Sequence, residues 1–134
     1  MTEIRFERIV PKKKLSTTSV PDVWRAMRAM ARSAQRRLME YPPKPPGSKY
    51  RRKAAAGGLK SGWTVAGPSK QGNDMVVEVG NKIKYAVYVE GPAEGPKGKR
   101  QTKKHRQTGW PTIDKVGKEE WDKAVPDIER ALQR

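Results

Sequence analysis

"DMVVEVGNKIKYAVYVEG", residues 74 to 91, is the stretch on which the fold turns. In its first half Val77 and Val79 alternate with Val76 and Glu78. In its second half Ile83, Tyr85, Val87 and Val89 alternate with Lys84, Ala86, Tyr88 and Glu90. Period-two alternation is the pattern of a half-buried strand. Gly80-Asn81, between the halves, favours a tight reversal. The stretch predicts two antiparallel strands.

One step outward lies "LKSGWTVAG", with Leu59, Trp63 and Val65 in alternation. The turn chemistry of "PSKQGND", with Gly72-Asn73-Asp74, follows it. Residues 59–90 therefore predict a three-stranded antiparallel meander. No crossover helix separates these strands, so the class is α+β rather than a parallel α/β sheet. Before the meander comes "YPPKPPGSKYRRKAAAGGLKSGW", residues 41 to 63, with four prolines, four glycines, six Lys/Arg and no acid. Residues 41–58 form a basic Pro/Gly connector. Its prolines limit the freedom of the unfolded chain. Trp63 would anchor its far end in the sheet. It reads either as a semi-rigid arm reaching a neighbouring subunit or as a crossover wrapping its own helix.

That helix spans residues 19–40. Ser19 stands at the N-cap position, Pro21 in the first turn and Asp22 near the positive helix end. Val20, Val23, Trp24, Met27, Met30, Ala31, Ala34 and Leu38 recur at spacings of three and four. Arg25, Arg28, Arg32, Arg36 and Arg37 occupy the rest, and Pro42-Pro43 ends the helix. The apolar stripe is core packing against one face of the meander or, with its adaptable Met27/Met30 pair, the docking face of an oligomer. Residues 1–18 hold a strand, with Ile4 and Phe6 facing one way, and then a basic linker broken by Pro11.

Downstream, residues 91–111 form a basic loop without periodicity, a kind of segment that is usually functional or disordered. Residues 112–134 form a C-terminal helical segment with Val116, Trp121, Val125, Ile128 and Leu132 at helical spacing. Pro126 either kinks this helix or starts a second one, with residues 112–120 as a short turn before it. Residues 1–134 make a single domain whose expected core is Trp24, Met27, Leu38, Trp63, Val77, Val87 and Ile128.

Composition narrows the function. Only 34% of residues are hydrophobic and 33% are charged, so the core is small. The absence of cysteine excludes a disulfide framework and a Cys zinc site. No apolar run approaches the roughly 20 residues of a membrane span, and the acid-bearing N-terminus is not that of a signal peptide. Thirty Lys/Arg against 14 Asp/Glu give +16. Such a charge calls for a polyanion or an acidic protein partner. It is uneven: residues 97–106, "KGKRQTKKHR", carry six Lys/Arg and no acid, whereas residues 111–134 carry six acids and five bases.

Catalysis is not expected. His105 is the one histidine and sits among Lys103, Lys104 and Arg106. No carboxylates are paired for acid/base work, and "GPAEGPKG" lacks the context of a phosphate loop. No cofactor and no metal are expected. The candidate contacts to a partner or polyanion are Lys44, Tyr50, Arg51, Arg52 and Lys53 in the connector. In the basic loop they are Lys97, Lys99, Arg100, Lys103, Lys104, His105 and Arg106. The alternative for these cations is a solvated surface that serves solubility.

The order of elements carries a resemblance. "AGGLKSGW", residues 56–63, is similar to a "TGxLxxSW" motif, and "YAVYVEGP", residues 85–92, to "YAxYVExG". Trp110 matches a late tryptophan that opens the last segment. From residue 19 on, the chain resembles tailed-phage proteins of the Hong Kong 97 gene-product-ten family. It differs at Gly57-Gly58, where the family more often has Thr-Gly, and at Gly91-Pro92, where a hydrophobic residue and Gly are usual. The resemblance implies a structural virion protein of the neck, a tail-completion or head–tail joining subunit. Such a subunit would be assembled in the host cytoplasm and act in a ring, commonly six-fold, between portal or connector and the tail tube or tail terminator. DNA passing through the lumen would be touched weakly and without sequence preference. The alternative is a small basic nucleic-acid-binding protein.

Overall fold

The computed structural model describes residues 4–11, 19–40, 42 and 62–133. Strand β1 (Ile4–Pro11), helix α1 (Val20–Met39), strands β2 (Trp63–Gln71) and β3 (Asp74–Asn81), and helices α2 (Ala86–Glu90), α3 (Lys103–Gln107) and α4 (Ile113–Leu132) follow in that order. The class is α+β: one antiparallel sheet of order β1-β3-β2, with α1 and α4 against one of its faces. Residues 41 and 43–61, which hold most of the connector, lie outside the described residues.

The third strand is not where alternation placed it. β2 and β3 form a hairpin whose reversal is Gly72-Asn73, with Gly72 at φ +59, a conformation glycine takes without strain. The other edge of β3 is occupied by β1, which pairs from Ile4↔Asn81 to Pro11↔Asp74. With both edges of β3 taken, residues after Asn81 cannot turn back and pair with β3 as a meander would. They coil into α2, held by Ala86 N–H to Ile83 O (3.1 Å) and Tyr88 N–H to Tyr85 O (3.0 Å). The meander over 59–90 is thus a hairpin followed by a short helix.

β2 also runs through the segment read as a turn. A bulge between Ala66 and Ser69 holds Gly67 at φ +85 and Pro68. An edge strand tolerates the missing N–H of Pro68.

The inner face of the sheet aligns Phe6, Arg8 and Val10 with Val79, Val77 and Met75, and Val65 with Val79. α1 covers β2 and β3 with Val23, Met27, Met30, Ala31, Ala34 and Leu38, all buried. Burying an apolar side chain of this size contributes about 1.5–3 kcal/mol. The face of α1 that leaves β2 meets α4, its largest partner.

Of the expected core, Met27, Leu38, Trp63, Val77, Val87 and Ile128 are buried. Trp24 is not: it is 39% exposed. Its stripe position lies over the bulge of β2, so its ring covers that edge and its Nε1–H donates to Pro68 O (3.2 Å). Arg28 lies over the same ring (5.5 Å) and donates to Gly67 O (2.7 Å).

α4 begins at Ile113, so residues 113–120 are helix rather than the short turn expected there. Ile113, Val116, Gly117 and Glu120 make its buried edge. Gly117 admits the Phe6 ring, which a Cβ would overlap. Arg8, on the inner face of β1, lies between the Phe6 and Trp121 rings at 4.8 and 5.5 Å, a cation–π arrangement. Pro126 lies inside this single helix on an exposed turn. At the end of α1, Arg37 donates to Glu119 (2.9 Å) and Glu120 (3.1 Å) of α4. The bond to Glu119 holds Arg37 above its ordinary pKa against the effect of burial, and Glu119 below its own.

Candidate partner interface

Two short motifs far apart in sequence meet in the core. Gly62-Trp63 opens β2, and Gly62 lies so close to Asn81 and Ile83 that a Cβ would overlap both side chains. Trp63 O accepts from Gln35 Nε2 of α1 (3.1 Å). The "YAVYVEG" motif supplies α2. Its Ala86, Val87, Val89 and Glu90 are buried, and Gly91 turns the chain where a Cβ would strike the Val87 carbonyl.

Glu90 is fully enclosed, and neither carboxylate oxygen has a hydrogen-bond partner. Burial pushes its carboxyl up to about 9. The Trp63 indole lies close enough to oppose that rise, yet its Nε1–H also falls short of a hydrogen bond. At neutral pH Glu90 is therefore a protonated acid beside an indole, because an isolated carboxylate is far costlier to bury than a neutral acid.

Beyond Gly91 the chain is folded back on α2. Gln101 N–H donates to Pro92 O (2.8 Å), and its Nε2 donates to Val89 O (2.8 Å) and Trp110 O (2.9 Å). Thr102 N–H donates to Tyr88 O (2.9 Å). Thr102 then caps α3, its Oγ1 accepting from His105 N–H (3.4 Å) and bonding His105 Nδ1 (2.6 Å). Burial, and then the charge of Lys104, push the His105 imidazole below its ordinary pKa. Its ring meets Trp110 edge to face at 6.1 Å. Arg106 donates to Ala93 O, and Ala93 N–H donates to Asp114 of α4 (3.3 Å). The basic loop expected over 91–111 thus contains a capped helix and is tied to the body at both ends.

A family model described as "Bacteriophage HK97-gp10, putative tail-component" matches residues 12–91. The chain belongs to this HK97-gp10-like family. That makes it one of the bacteriophage tail components, proteins of the virion that meet other structural proteins of the particle. No curated protein and no solved structure matches the chain.

The match ends at Gly91, so this HK97-gp10-like chain carries its basic lobe just after the matched residues. Lys97, Lys99 and Arg100 stand exposed in the turns before α3, and Lys103, Lys104 and Arg106 are exposed on it. His105 is half-buried and engaged with Thr102. Lys44, Tyr50, Arg51, Arg52 and Lys53 lie outside the described residues.

Three residues that sequence reasoning left out of the candidate site belong in this region. Tyr85 and Tyr88 are 40% and 43% exposed. A strand would have sent them to opposite faces, whereas α2 puts them one turn apart on the same side. Glu90, expected on the outer face of a strand, points inward. A helical reading of the spacing 86, 87, 90 would have found it.

Among the described residues no cluster of His, Asp and Glu could hold a metal, and no helix is long and apolar enough to cross a membrane. A cavity of about 340 Å³ on the outer face of the sheet is lined by Arg5, Thr64, Val65, Ala66, Glu78, Gly80 and Lys82. It is bridged by the Arg5–Glu78 pair (3.5 Å).

Proposed function

We propose that this tail component is a neck or tail-completion subunit that joins head to tail. In this reading it acts without catalysis, as a ring between portal or connector and the tail tube or tail terminator. It is assembled in the host cytoplasm, and six copies are the natural ring number. The supporting observation is where the charge is left over. Elsewhere seven described acids are met at home, Glu7 and Glu78 by Arg5, Asp22 by Arg25, Asp122 by Lys118, Asp127 by Arg130, and Glu119 and Glu120 by Arg37, while Glu40, Asp74, Asp114 and Glu129 have no cation among the described residues. In residues 82–107 Lys82, Lys84, Lys97, Lys99, Arg100, Lys103 and Lys104 form no ion pair among the described residues. The region's exposed acid is Glu94. A subunit with such a face is completed from outside, as an assembly component is.

The test is complementation of a phage lacking this gene, read by electron microscopy. The expected result is heads and tails that fail to join, or particles that fall apart at the neck. Normally joined virions with defective replication or transcription would instead support the nucleic-acid-binding alternative, which the same unpaired cations would serve.

A further inference from the structure

We infer that Tyr85, at the N-cap of α2, and Tyr88 within it, with Lys84 and Lys103 close by along the backbone, anchor a docking face for an acidic surface on another protein of the phage particle. The inference deepens the assembly reading above and rests on it. The two rings share one side of a helix whose other side is wholly buried, and they remain 40% and 43% exposed. Their backbone is fixed by three bonds: Tyr88 N–H to Tyr85 O, Thr102 N–H to Tyr88 O, and Gln101 Nε2–H to Val89 O. The rings are held out on a frame that loses little freedom when a partner arrives. Tyrosine with a cationic rim is the composition of an interface centre. Thr102 N–H donates to Tyr88 O, so α3, whose first residue is Lys103, starts against the backbone of α2 at Tyr88. Lys84 directly precedes Tyr85; Lys84, Lys99 and Lys103 are exposed and form no ion pair among the described residues, and the exposed acid of residues 82–107 is Glu94.

Charge complementarity selects the occupant. A second copy of this chain is the poorer occupant: it carries a net charge of +16, and Glu7, Asp22, Glu78, Glu119, Glu120, Asp122 and Asp127 already pair with its own Arg and Lys, which leaves Glu40, Asp74, Glu94, Asp114 and Glu129 without a cation among the described residues. Duplex DNA is held through phosphates by cations and by backbone N–H groups. Here the centre of the face is aromatic, and Thr102 N–H beside it is already engaged. A protein surface carrying Asp or Glu around an apolar hollow satisfies both rings and rim.

The experiment replaces Tyr88 by photoreactive benzoylphenylalanine in the full chain, assembles phage particles with it, irradiates purified particles and identifies adducts by mass spectrometry. An adduct mapping to an acid-bearing segment of a different virion protein is expected. An adduct to a second copy of the chain, an adduct to DNA, or none from particles that contain the chain overturns the inference. Absence of the chain from purified particles would instead undo the assembly reading itself.

A second measurement uses Tyr85→Ser with Tyr88→Ser. The exposed rings predict a melting temperature within about 2 °C of wild type, with incorporation into particles reduced tenfold or more. Wild-type incorporation would also overturn the inference. Should the double variant melt much lower, the photoadduct decides alone.

Discussion

In the body built from the sheet, α1 and α4, most polar groups end on partners, with Arg8 Nε and the Trp63 indole N–H buried short of a hydrogen bond. Arg37 bridges two carboxylates of α4, Arg28 and Trp24 donate to the bulge of β2, and Arg8 is held between two rings. In residues 82–110 the pattern reverses. A carboxyl is buried without a hydrogen bond, two tyrosines are 40% and 43% exposed, and a run of cations forms no ion pair among the described residues. Both regions are folded, since backbone bonds run from residues 101 and 102 to residues 92 and 88 within the second, and Asp114 of α4 accepts from its Ala93 N–H. What separates them is ion pairing: seven carboxylates of the body are met by its own Arg and Lys, whereas most cations of the lobe form no ion pair among the described residues. A chain of net charge +16 can therefore keep a paired body while its lobe presents exposed cations with no ion pair among the described residues.

Trp63, which opens β2, and Trp24 of α1, which covers its bulge, offer the largest test of that division. Trp63 is 4% exposed and packs where the two motifs meet, so Trp63→Ala should cost about 3–5 kcal/mol in denaturant titration. Trp24 is 39% exposed and covers an edge, so Trp24→Ala should cost about 1 kcal/mol, for the lost hydrogen bond and partial packing. Equal costs would mean that the stripe of α1 buries both alike.

Glu90 gives the next effect, and it is one of pH. Its carboxyl titrates near 9 in the fold against an ordinary 4.5 in the unfolded chain, so the fold holds one more proton between those values. The associated stability is complete below about 4.5 and is lost as pH rises through about 9. The upper limit of the slope is about 1.4 kcal/mol per pH unit. Between pH 5 and 8 wild type should lose on the order of 2–4 kcal/mol more than Glu90→Gln does. Parallel pH profiles for the two would show that Glu90 ionises without penalty, and the lobe would then lack its buried acid.

These effects bear on what the sequence made legible. α1 was readable because its apolar stripe is long and its ends are marked by Pro21 and Pro42-Pro43. β1 was readable as a strand, but its partner was not, because pairing with β3 spans some 70 residues that alternation cannot see. That missing fact caused the main error. "KIKYAVYVEG" satisfies a period of two at 83, 85, 87 and 89, and a helical spacing at 83, 86, 87 and 90. The choice is made by tertiary structure, since β1 occupies the edge a third strand would need. The misreading then split Tyr85 from Tyr88 and turned Glu90 outward. The candidate cations were legible as charge, but their frame was not. α3 is five residues long, and its only sequence mark is the Thr102 cap.

Within the body, Arg37→Ala is the smaller test. It removes the main partner of Glu120, a carboxylate only 7% exposed, and leaves it Lys123 at 3.6 Å. A loss of about 1–2 kcal/mol is expected, with most of it due to the stranded acid. Arg37→Ala together with Glu120→Gln should recover part of that loss, and no recovery would place the cost in packing of the Arg37 stem instead.

The smallest expected effect on stability belongs to the lobe's cations. Lys99, Arg100, Lys103 and Lys104 are exposed and form no ion pair among the described residues, so replacing all four by Ser should shift unfolding by no more than about 0.5 kcal/mol. Relieving their mutual repulsion could make the sign favourable. The same variant should differ sharply in what it binds. The wild-type chain is expected to bind duplex DNA no tighter than about micromolar near physiological salt, with log K falling by about 0.9 per phosphate contact for each tenfold rise in salt. The variant should lose that binding almost entirely. A neck subunit that gripped DNA more tightly would hinder the passage of the genome. Nanomolar, sequence-blind binding by the wild type would therefore favour DNA as the lobe's main partner. A large stability loss in the variant would show that the cations are paired within the subunit after all, and the contrast between body and lobe would disappear.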